Sequence, residues 1–213
     1  MAGFLVGFVS ACTWQPMQPP PPPLADLKAM DPTLVLDIRY ATTQNFTGKV
    51  LYPKARALLL QAPAAALIKA HQALAAQGLG IVIYDAYRPY SVTQTLWQEA
   101  TPEQRRQGFV ADPSTGSMHN RGCAVDVGLF ERSNGKRLEM PSAFDEFSPR
   151  AHTGYTGGDP ATQANSRLLQ NVMRHVGFEV LPQEWWHFNF NGCENQPILD
   201  LDFRAPRFLP EPA

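Results

Sequence analysis

The rest of the chain is best understood from one segment, Ser117-Met118-His119-Asn120-Arg121-Gly122-Cys123-Ala124-Val125-Asp126. It places His119 and Asp126 seven positions apart, with a glycine between them and small or apolar residues before the aspartate. A second segment, Glu184-Trp185-Trp186-His187, follows about 60 residues later. Each segment alone is a weak signal, because single histidines and short Glu/His pairs are common in surface turns. Together they offer two histidines and an aspartate, with a glutamate that is not needed as a ligand.

These residue types suit a catalytic zinc site. Such sites use three protein ligands and leave the fourth tetrahedral position open for water. Zinc lowers the pKa of that water towards ~7, so that hydroxide is available at neutral pH. We therefore predict that His119, Asp126 and His187 bind one Zn²⁺ per chain, and that Glu184 carries the proton from water to a leaving amine. Residues three apart face opposite sides of a straight strand, so the chain must bend between Glu184 and His187.

Four segments carry a resemblance to a known family: Asp37-Ile38-Arg39-Tyr40-Ala41-Thr42-Thr43-Gln44-Asn45-Phe46-Thr47-Gly48, Tyr84-Asp85-Ala86-Tyr87-Arg88-Pro89, residues 117–126, and Glu184-Trp185-Trp186-His187-Phe188. In these segments the sequence resembles the D-alanyl-D-alanine dipeptidases, the VanX-like branch of the zinc peptidases. That group also includes the D-Ala-D-Ala carboxypeptidases and is similar to the hedgehog signalling domain. The first and last segments favour the dipeptidase branch.

The resemblance implies an activity and roles for further residues. It implies zinc-dependent hydrolysis of D-alanyl-D-alanine to two D-alanine molecules, linked to cell-wall peptide metabolism, with Glu184 as general base and acid. It also implies that Arg88 stabilises the transition state. Ser117 and Asp145 are implied as substrate-binding residues, Ser117 at the carboxylate and Asp145 at the free amine. The D-stereochemistry rests on the resemblance alone, since the residue spacing indicates only a metal hydrolase.

Two alternative functions stay open at this stage. A D,D- or L,D-carboxypeptidase would cut longer peptidoglycan peptides, which a closed cleft would exclude. A non-catalytic, zinc-binding module of the hedgehog type would keep the ligands and lose hydrolysis, although the presence of Glu184 argues for activity. The sequence also leaves open whether the physiological role is D-alanine recycling or glycopeptide resistance.

Hydrophobic patterns predict an α+β fold. Strands are expected at residues 33–38, 79–84, 123–130, 178–180 and 185–190. Helices are expected at residues 62–77, 91–100 and 165–176. We expect one domain at residues 24–213, with a central, mostly antiparallel sheet flanked by helices and the zinc site on the sheet.

Local signals refine this layout. Ser91 is expected to cap the second helix, and the Asn134-Gly135 pair predicts a hairpin turn between two strands. Pro89 disfavours helical geometry at Arg88 and so keeps it at the exit of the strand at 79–84. Residues 40–49 and 101–115 are predicted to be polar loops, and His71 is predicted to be a structural histidine within the first helix.

The first 23 residues are predicted to lie outside the domain. Residues 2–9 form an apolar run, shorter than the ~20 residues that span a bilayer and typical of a secretory signal. Val9-Ser10-Ala11-Cys12 resembles the lipobox of bacterial lipoproteins, and a run of five prolines follows as an extended spacer. We expect a periplasmic or cell-envelope protein, tethered to the membrane through lipidated Cys12. Without a working signal it would be cytoplasmic.

Composition and the remaining cysteines add two expectations. The net charge is −1 and no basic cluster is present, so nucleic-acid binding has no electrostatic support. A small dipeptide is the expected partner. Once Cys12 is lipidated, Cys123 and Cys193 remain as an even pair in an oxidising compartment. Each lies near a predicted zinc ligand, so we hypothesise a disulfide between them.

Overall fold

The computed structural model describes residues 22–204. The predicted signal, the lipobox-like Cys12 and most of the proline run lie outside the described residues. Within residues 22–204, no helix has the length and apolar character needed to cross a membrane.

The elements are numbered in chain order. The strands are β1 Leu24–Asp26, β2 Val35–Leu36, β3 Leu58–Leu60, β4 Leu79–Asp85, β5 Ala124–Glu131, β6 Phe178–Val180 and β7 His187–Phe190. The helices are α1 Leu27–Met30, α2 Gln61–Ala75, α3 Tyr90–Glu99, α4 Pro102–Arg106 and α5 Pro160–His175. Short 3₁₀ turns occupy Arg39–Ala41, His119–Arg121 and Pro149–Ala151.

A five-stranded sheet in the order β2-β4-β5-β7-β6 forms the centre of the molecule. Only the β2–β4 pair is parallel, and the β4–β5, β5–β7 and β6–β7 pairs are antiparallel. A second, two-stranded sheet pairs β1 with β3. The prediction of an α+β fold with a mostly antiparallel central sheet is therefore confirmed. Helices α2 and α5 pack against each other and on the sheet.

The two central strands predicted at residues 79–84 and 123–130 are present as β4 and β5. β4 is buried along its length except at its first residue, and β5 except at its last. A strand covered on both faces needs apolar side chains at nearly every position, which explains the continuous hydrophobic run of β4. Helix α2 carries Pro63 in its first turn, and Gly78 follows it with φ +72°.

Three local predictions are wrong. Helix α3 begins at Tyr90 after Pro89, so Ser91 lies in its first turn rather than at its cap, and its hydroxyl donates to Asp200 at 2.7 Å. The predicted loop at residues 101–115 contains α4, which begins with a capping box between Thr101 and Gln104. The helix predicted to start at residue 165 begins five residues earlier, at Pro160, because Asp159 caps it and accepts the backbone N–H of Ala161.

The Asn134-Gly135 turn is present, but the second strand of the predicted hairpin is reduced to one bridge between Phe130 and Arg137. His71 is confirmed as structural: it is buried in α2, and its Nδ1 accepts the backbone N–H of Ile81 at 2.9 Å. The structure also contains the hypothesised disulfide.

Candidate active site and metal centre

Two neighbouring strands and one turn bring the predicted ligands together. His119 opens the 3₁₀ turn before β5, and this turn ends at Gly122 with φ +66°. A Cβ atom on Gly122 would lie 2.7 Å from the side chain of Leu24, so glycine suits both the backbone conformation and the packing there. Asp126 of β5 and His187 of β7 are direct partners in the antiparallel ladder. All three ligand side chains are buried.

The three side chains present their ligand atoms as a compact triangle. His119 Nε2 lies 3.1 Å from His187 Nδ1 and 3.2 Å from Asp126 Oδ1, and His187 Nδ1 lies 3.0 Å from the same Oδ1. Ligands bound to zinc at ~2.0 Å with tetrahedral angles are separated by about 3.3 Å. The triangle therefore fits one face of a zinc coordination tetrahedron.

In each of the two histidines, the ring nitrogen that faces away from the triangle makes a hydrogen bond. This bond fixes which nitrogen carries the proton and which one keeps its lone pair. His119 donates its Nδ1–H to the carbonyl oxygen of Ala86 at 2.6 Å, and His187 donates its Nε2–H to Asn189 Oδ1 at 2.8 Å. With the protons on the outer nitrogens, both inner nitrogens direct lone pairs at the carboxylate of Asp126. Three electron-pair donors at this separation repel each other unless a cation lies between them. The residues present thus fit a divalent metal ion.

Glu184 reaches the triangle because the chain turns immediately before β7. The backbone N–H of His187 donates to the carbonyl oxygen of Glu184 at 3.3 Å, which closes a tight turn around two tryptophans. This is the bend that the three-residue spacing required. Glu184 Oε2 then lies 3.8 Å from His187 Nδ1. Burial raises the pKa of Glu184 to about 8, which His187 opposes and the carboxylate of Asp126 reinforces.

Arg88 is held against the same triangle by Asp85. Its Nε and Nη2 donate to Asp85 Oδ2 at 3.0 and 2.8 Å, while Tyr52 donates its hydroxyl to Asp85 Oδ1 at 2.8 Å. The guanidinium lies 5.0 Å from the centre of the Tyr40 ring and its Nη2 is 3.9 Å from Asp126 Oδ2. Burial works against the charge on Arg88, but Asp85 raises its pKa well above the usual value.

The predicted substrate-binding residues line the same solvent-open cavity, which has a volume of about 260 Å³. Ser117 is buried, and its Oγ accepts the backbone N–H of His119 at 3.2 Å. Asp145 adopts a left-handed backbone with φ +59°, an uncommon conformation for a residue other than glycine. Its carboxylate lies 3.4 Å from both the Tyr40 hydroxyl and the Phe46 N–H.

Sequence reasoning missed several residues of this cavity and its support. Asn189 lines the cavity and contacts a predicted ligand, and Tyr52 fixes the carboxylate that holds Arg88. Phe109 also lines the cavity, and it packs on Phe147 together with Phe46 of the predicted loop at residues 40–49. The spacing of His187 and Asn189, two apart on a strand, was the one available signal for a shared face.

Comparison with known proteins places these observations in context. A family model described as peptidase M15, D-ala-D-ala dipeptidase, matches residues 22–203. The D-alanyl-D-alanine dipeptidase of Escherichia coli (strain K12) is 39% identical to this chain over 180 residues. The alignment covers 84% of this chain and 91% of the Escherichia coli protein. The D-alanyl-D-alanine dipeptidase of Enterococcus faecium is 33% identical over 186 residues, covering 78% and 90%. A solved D,D-pentapeptidase, VanY in complex with Zn(II), gives a TM-score of 0.41 at 18% identity over 67% of this chain and 78% of that chain.

Proposed function

Because this chain belongs to the peptidase M15 family of D-Ala-D-Ala dipeptidases, we infer that it is a metallopeptidase that hydrolyses D-alanyl-D-alanine to two D-alanine molecules. The function is thus linked to peptidoglycan metabolism. The observation that carries this assignment is the triangle of His119, Asp126 and His187, with Glu184 and Arg88 beside it in one small cavity.

We assign one zinc ion per chain to the triangle. The separations of the three ligand atoms and the lone-pair directions set by the outer hydrogen bonds support this choice, and two histidines with one carboxylate form a common donor set for catalytic zinc. When bound there, zinc would polarise the scissile carbonyl and lower the pKa of water, so that the water can lose a proton and act as a nucleophile near neutral pH.

Glu184 and Arg88 supply the proton transfer and the charge stabilisation. Glu184 accepts the proton of the attacking water and returns it to the nitrogen of the leaving D-alanine. Its buried carboxyl group, 3.8 Å from His187 Nδ1, lies next to the proposed zinc position, where it can take up the proton of the attacking water and release it to the leaving amine. Arg88, already oriented by Asp85, donates hydrogen bonds to the oxygen on which negative charge develops.

The two ends of a free dipeptide require complementary groups. Asp145 offers a carboxylate for the ammonium group, and Tyr40 and Phe46 hold that carboxylate in place. Ser117 keeps its hydroxyl proton available for the substrate carboxylate, because its oxygen accepts rather than donates in the contact with His119. Because the two residues bind opposite ends of the dipeptide, they favour one orientation of the substrate in the cavity.

The position of Asp145 in the cavity favours the dipeptide over the longer substrates of a carboxypeptidase. A longer peptide would present a neutral amide instead of an ammonium group to this carboxylate. We expect the zinc-loaded protein to release D-alanine from D-Ala-D-Ala and to act far more slowly on a pentapeptide ending in D-Ala-D-Ala. Cleavage of the pentapeptide alone would assign a carboxypeptidase, and cleavage of neither would assign a binding module.

We further propose that residues 24–213 form the catalytic domain and that residues 1–23 direct export and tether it in the cell envelope through lipidated Cys12. The apolar run at residues 2–9 and the lipobox-like context of Cys12 support this. The Cys123–Cys193 disulfide is also typical of oxidising compartments. Labelling with a radioactive fatty acid should mark the wild-type protein and not Cys12→Ala. Equal labelling of the two would exclude the tether.

A further inference from the structure

Asn189 accepts a hydrogen bond from His187, one of the three predicted metal ligands. It lies two residues after His187 on β7, so both side chains project from the same face of the strand. Its Oδ1 is 2.8 Å from His187 Nε2. Asn189 is half-buried and lines the cavity that holds the triangle.

The two histidines of the triangle differ in what fixes their tautomer. His119 donates to the backbone carbonyl of Ala86, an acceptor that remains whatever side chain occupies that position. His187 depends on the side chain of Asn189 for the corresponding contact. A substitution of Asn189 can therefore remove the acceptor while leaving all three ligands in the chain.

The consequence follows from the chemistry of a neutral imidazole, which carries its single proton on one nitrogen or the other. An acceptor at Nε2 keeps the proton there and leaves the Nδ1 lone pair directed into the triangle. Without that acceptor, the proton is drawn to Nδ1, which lies 3.0 Å from Asp126 Oδ1. A proton in this position would block the site that the metal needs, so Asn189 and Asp126 compete for the tautomer of His187.

We propose that Asn189 is a positioning residue that holds His187 in its metal-binding tautomer and orientation. The inference rests on the proposed function, because it requires a metal ion at the triangle. Partners of this kind typically change metal affinity by ~10–100-fold. Aspartate at this position would keep an acceptor oxygen, whereas leucine, which has a similar size, would not.

The test compares the zinc dissociation constants of the full chain and its variants by competition with a chromophoric chelator at neutral pH. We expect Asn189→Leu to bind zinc ~10–100-fold more weakly and Asn189→Asp to stay close to the wild type. Asn191→Leu is the matched control, because Asn191 is an exposed asparagine two residues further along the chain. The zinc affinity of this variant should equal that of the wild type. Zinc affinity of Asn189→Leu equal to that of the wild type would overturn the positioning role.

A second measurement does not depend on the metal. Nitrogen NMR of the metal-free protein, at a pH at which the His187 imidazole is neutral, should find a larger fraction of the ring protonated on Nε2 in the wild type than in Asn189→Leu, where only Asp126 competes for the proton. Asn189→Ala gives the same test with a smaller side chain if the leucine variant does not fold. An unchanged tautomer in both variants contradicts the proposal. A wild-type chain that binds zinc but leaves D-Ala-D-Ala intact overturns only the proposed function, and one that binds no zinc overturns both.

Discussion

Asp145 shows how burial sets the chemistry of a single residue in this cavity. Burial raises its pKa to about 7, and the nearby carboxylate of Asp126 adds to the rise. The N–H of Phe46 acts in the opposite direction by stabilising the charged form. The carboxylate that should receive the ammonium group of the substrate therefore changes its charge close to neutral pH.

This gives a testable pH dependence. Below about pH 7, Asp145 becomes protonated and cannot pair with an ammonium group, which itself stays charged because α-amino groups titrate near ~8. We expect the KM for D-Ala-D-Ala to rise as the pH falls below about 7, where Asp145 is protonated, and to rise again above ~8, where the substrate amine loses its charge. Steady-state kinetics across this range would measure the effect. Asp145→Asn should show a high KM with little pH dependence, and a wild-type KM that is constant across the range would contradict the assigned role.

At the scale of single residues, the site residues that lie in sequence motifs could be predicted. The residues that hold them in position could not. Glu184 and His187 could be paired because their spacing is local, and the required bend is present. Tyr52 could not be connected with Asp85, because 33 residues separate them and only the folded chain brings the hydroxyl to the carboxylate. Contacts of this kind depend on tertiary structure and have no periodic signal in the sequence.

At the scale of elements, continuous apolar runs were sufficient to predict β4 and β5, since both are buried along almost their whole length. The β1–β3 pair was missed because each strand has only three residues and the partners Leu24 and Leu60 lie far apart in sequence. Helix α5 begins at Pro160 rather than at the predicted residue 165, because Asp159 caps it and Pro160 suits its first position, whereas the apolar periodicity begins only further along the helix.

Three loops meet beside the cavity through the aromatic rings of Phe46, Phe109 and Phe147. The ring of Phe147 lies 5.0 Å from Phe46 and 4.9 Å from Phe109, measured between centroids, and the latter two residues line the cavity. Phe147 supports these two rings without lining the cavity itself. This arrangement should limit the length of peptide that can enter.

We expect Phe147→Ala to loosen this contact and to raise cleavage of a pentapeptide relative to D-Ala-D-Ala by about 2- to 10-fold. This range corresponds to the ~0.5–1.5 kcal/mol contributed by an aromatic pair. The ratio of kcat/KM values for the two substrates measures it. Tyr155→Ala, a loop aromatic that lines a different surface cavity, is the control. An unchanged ratio in Phe147→Ala would show that the aromatic contact does not limit substrate length.

At the scale of the whole molecule, the Cys123–Cys193 disulfide connects the start of β5 with the segment after β7. The two Cα atoms are 6.0 Å apart and the cysteines are 70 residues apart in sequence. A cross-link of this span reduces the entropy of the unfolded chain and typically stabilises a protein by ~2–4 kcal/mol. The strands that it joins carry Asp126 and His187, so it also ties together the two sides of the predicted metal site.

We expect the double variant Cys123→Ser/Cys193→Ser to lose ~2–4 kcal/mol of unfolding free energy relative to the oxidised wild type. Urea denaturation of both proteins in metal-free buffer measures this difference, and the reduced wild type should resemble the variant. Equal midpoints for oxidised and reduced wild-type protein would show that the disulfide contributes nothing to stability.

The most direct test of the whole account is the turnover of D-Ala-D-Ala by Glu184→Gln, measured together with its zinc content. If Glu184 carries the proton and does not bind the metal, as we propose, the variant should keep one zinc per chain and lose ~10²–10⁴-fold in kcat. Glu179→Gln, which changes an exposed glutamate on β6, should behave like the wild type. Undiminished turnover by Glu184→Gln, or loss of zinc together with activity, would contradict the roles assigned to this site.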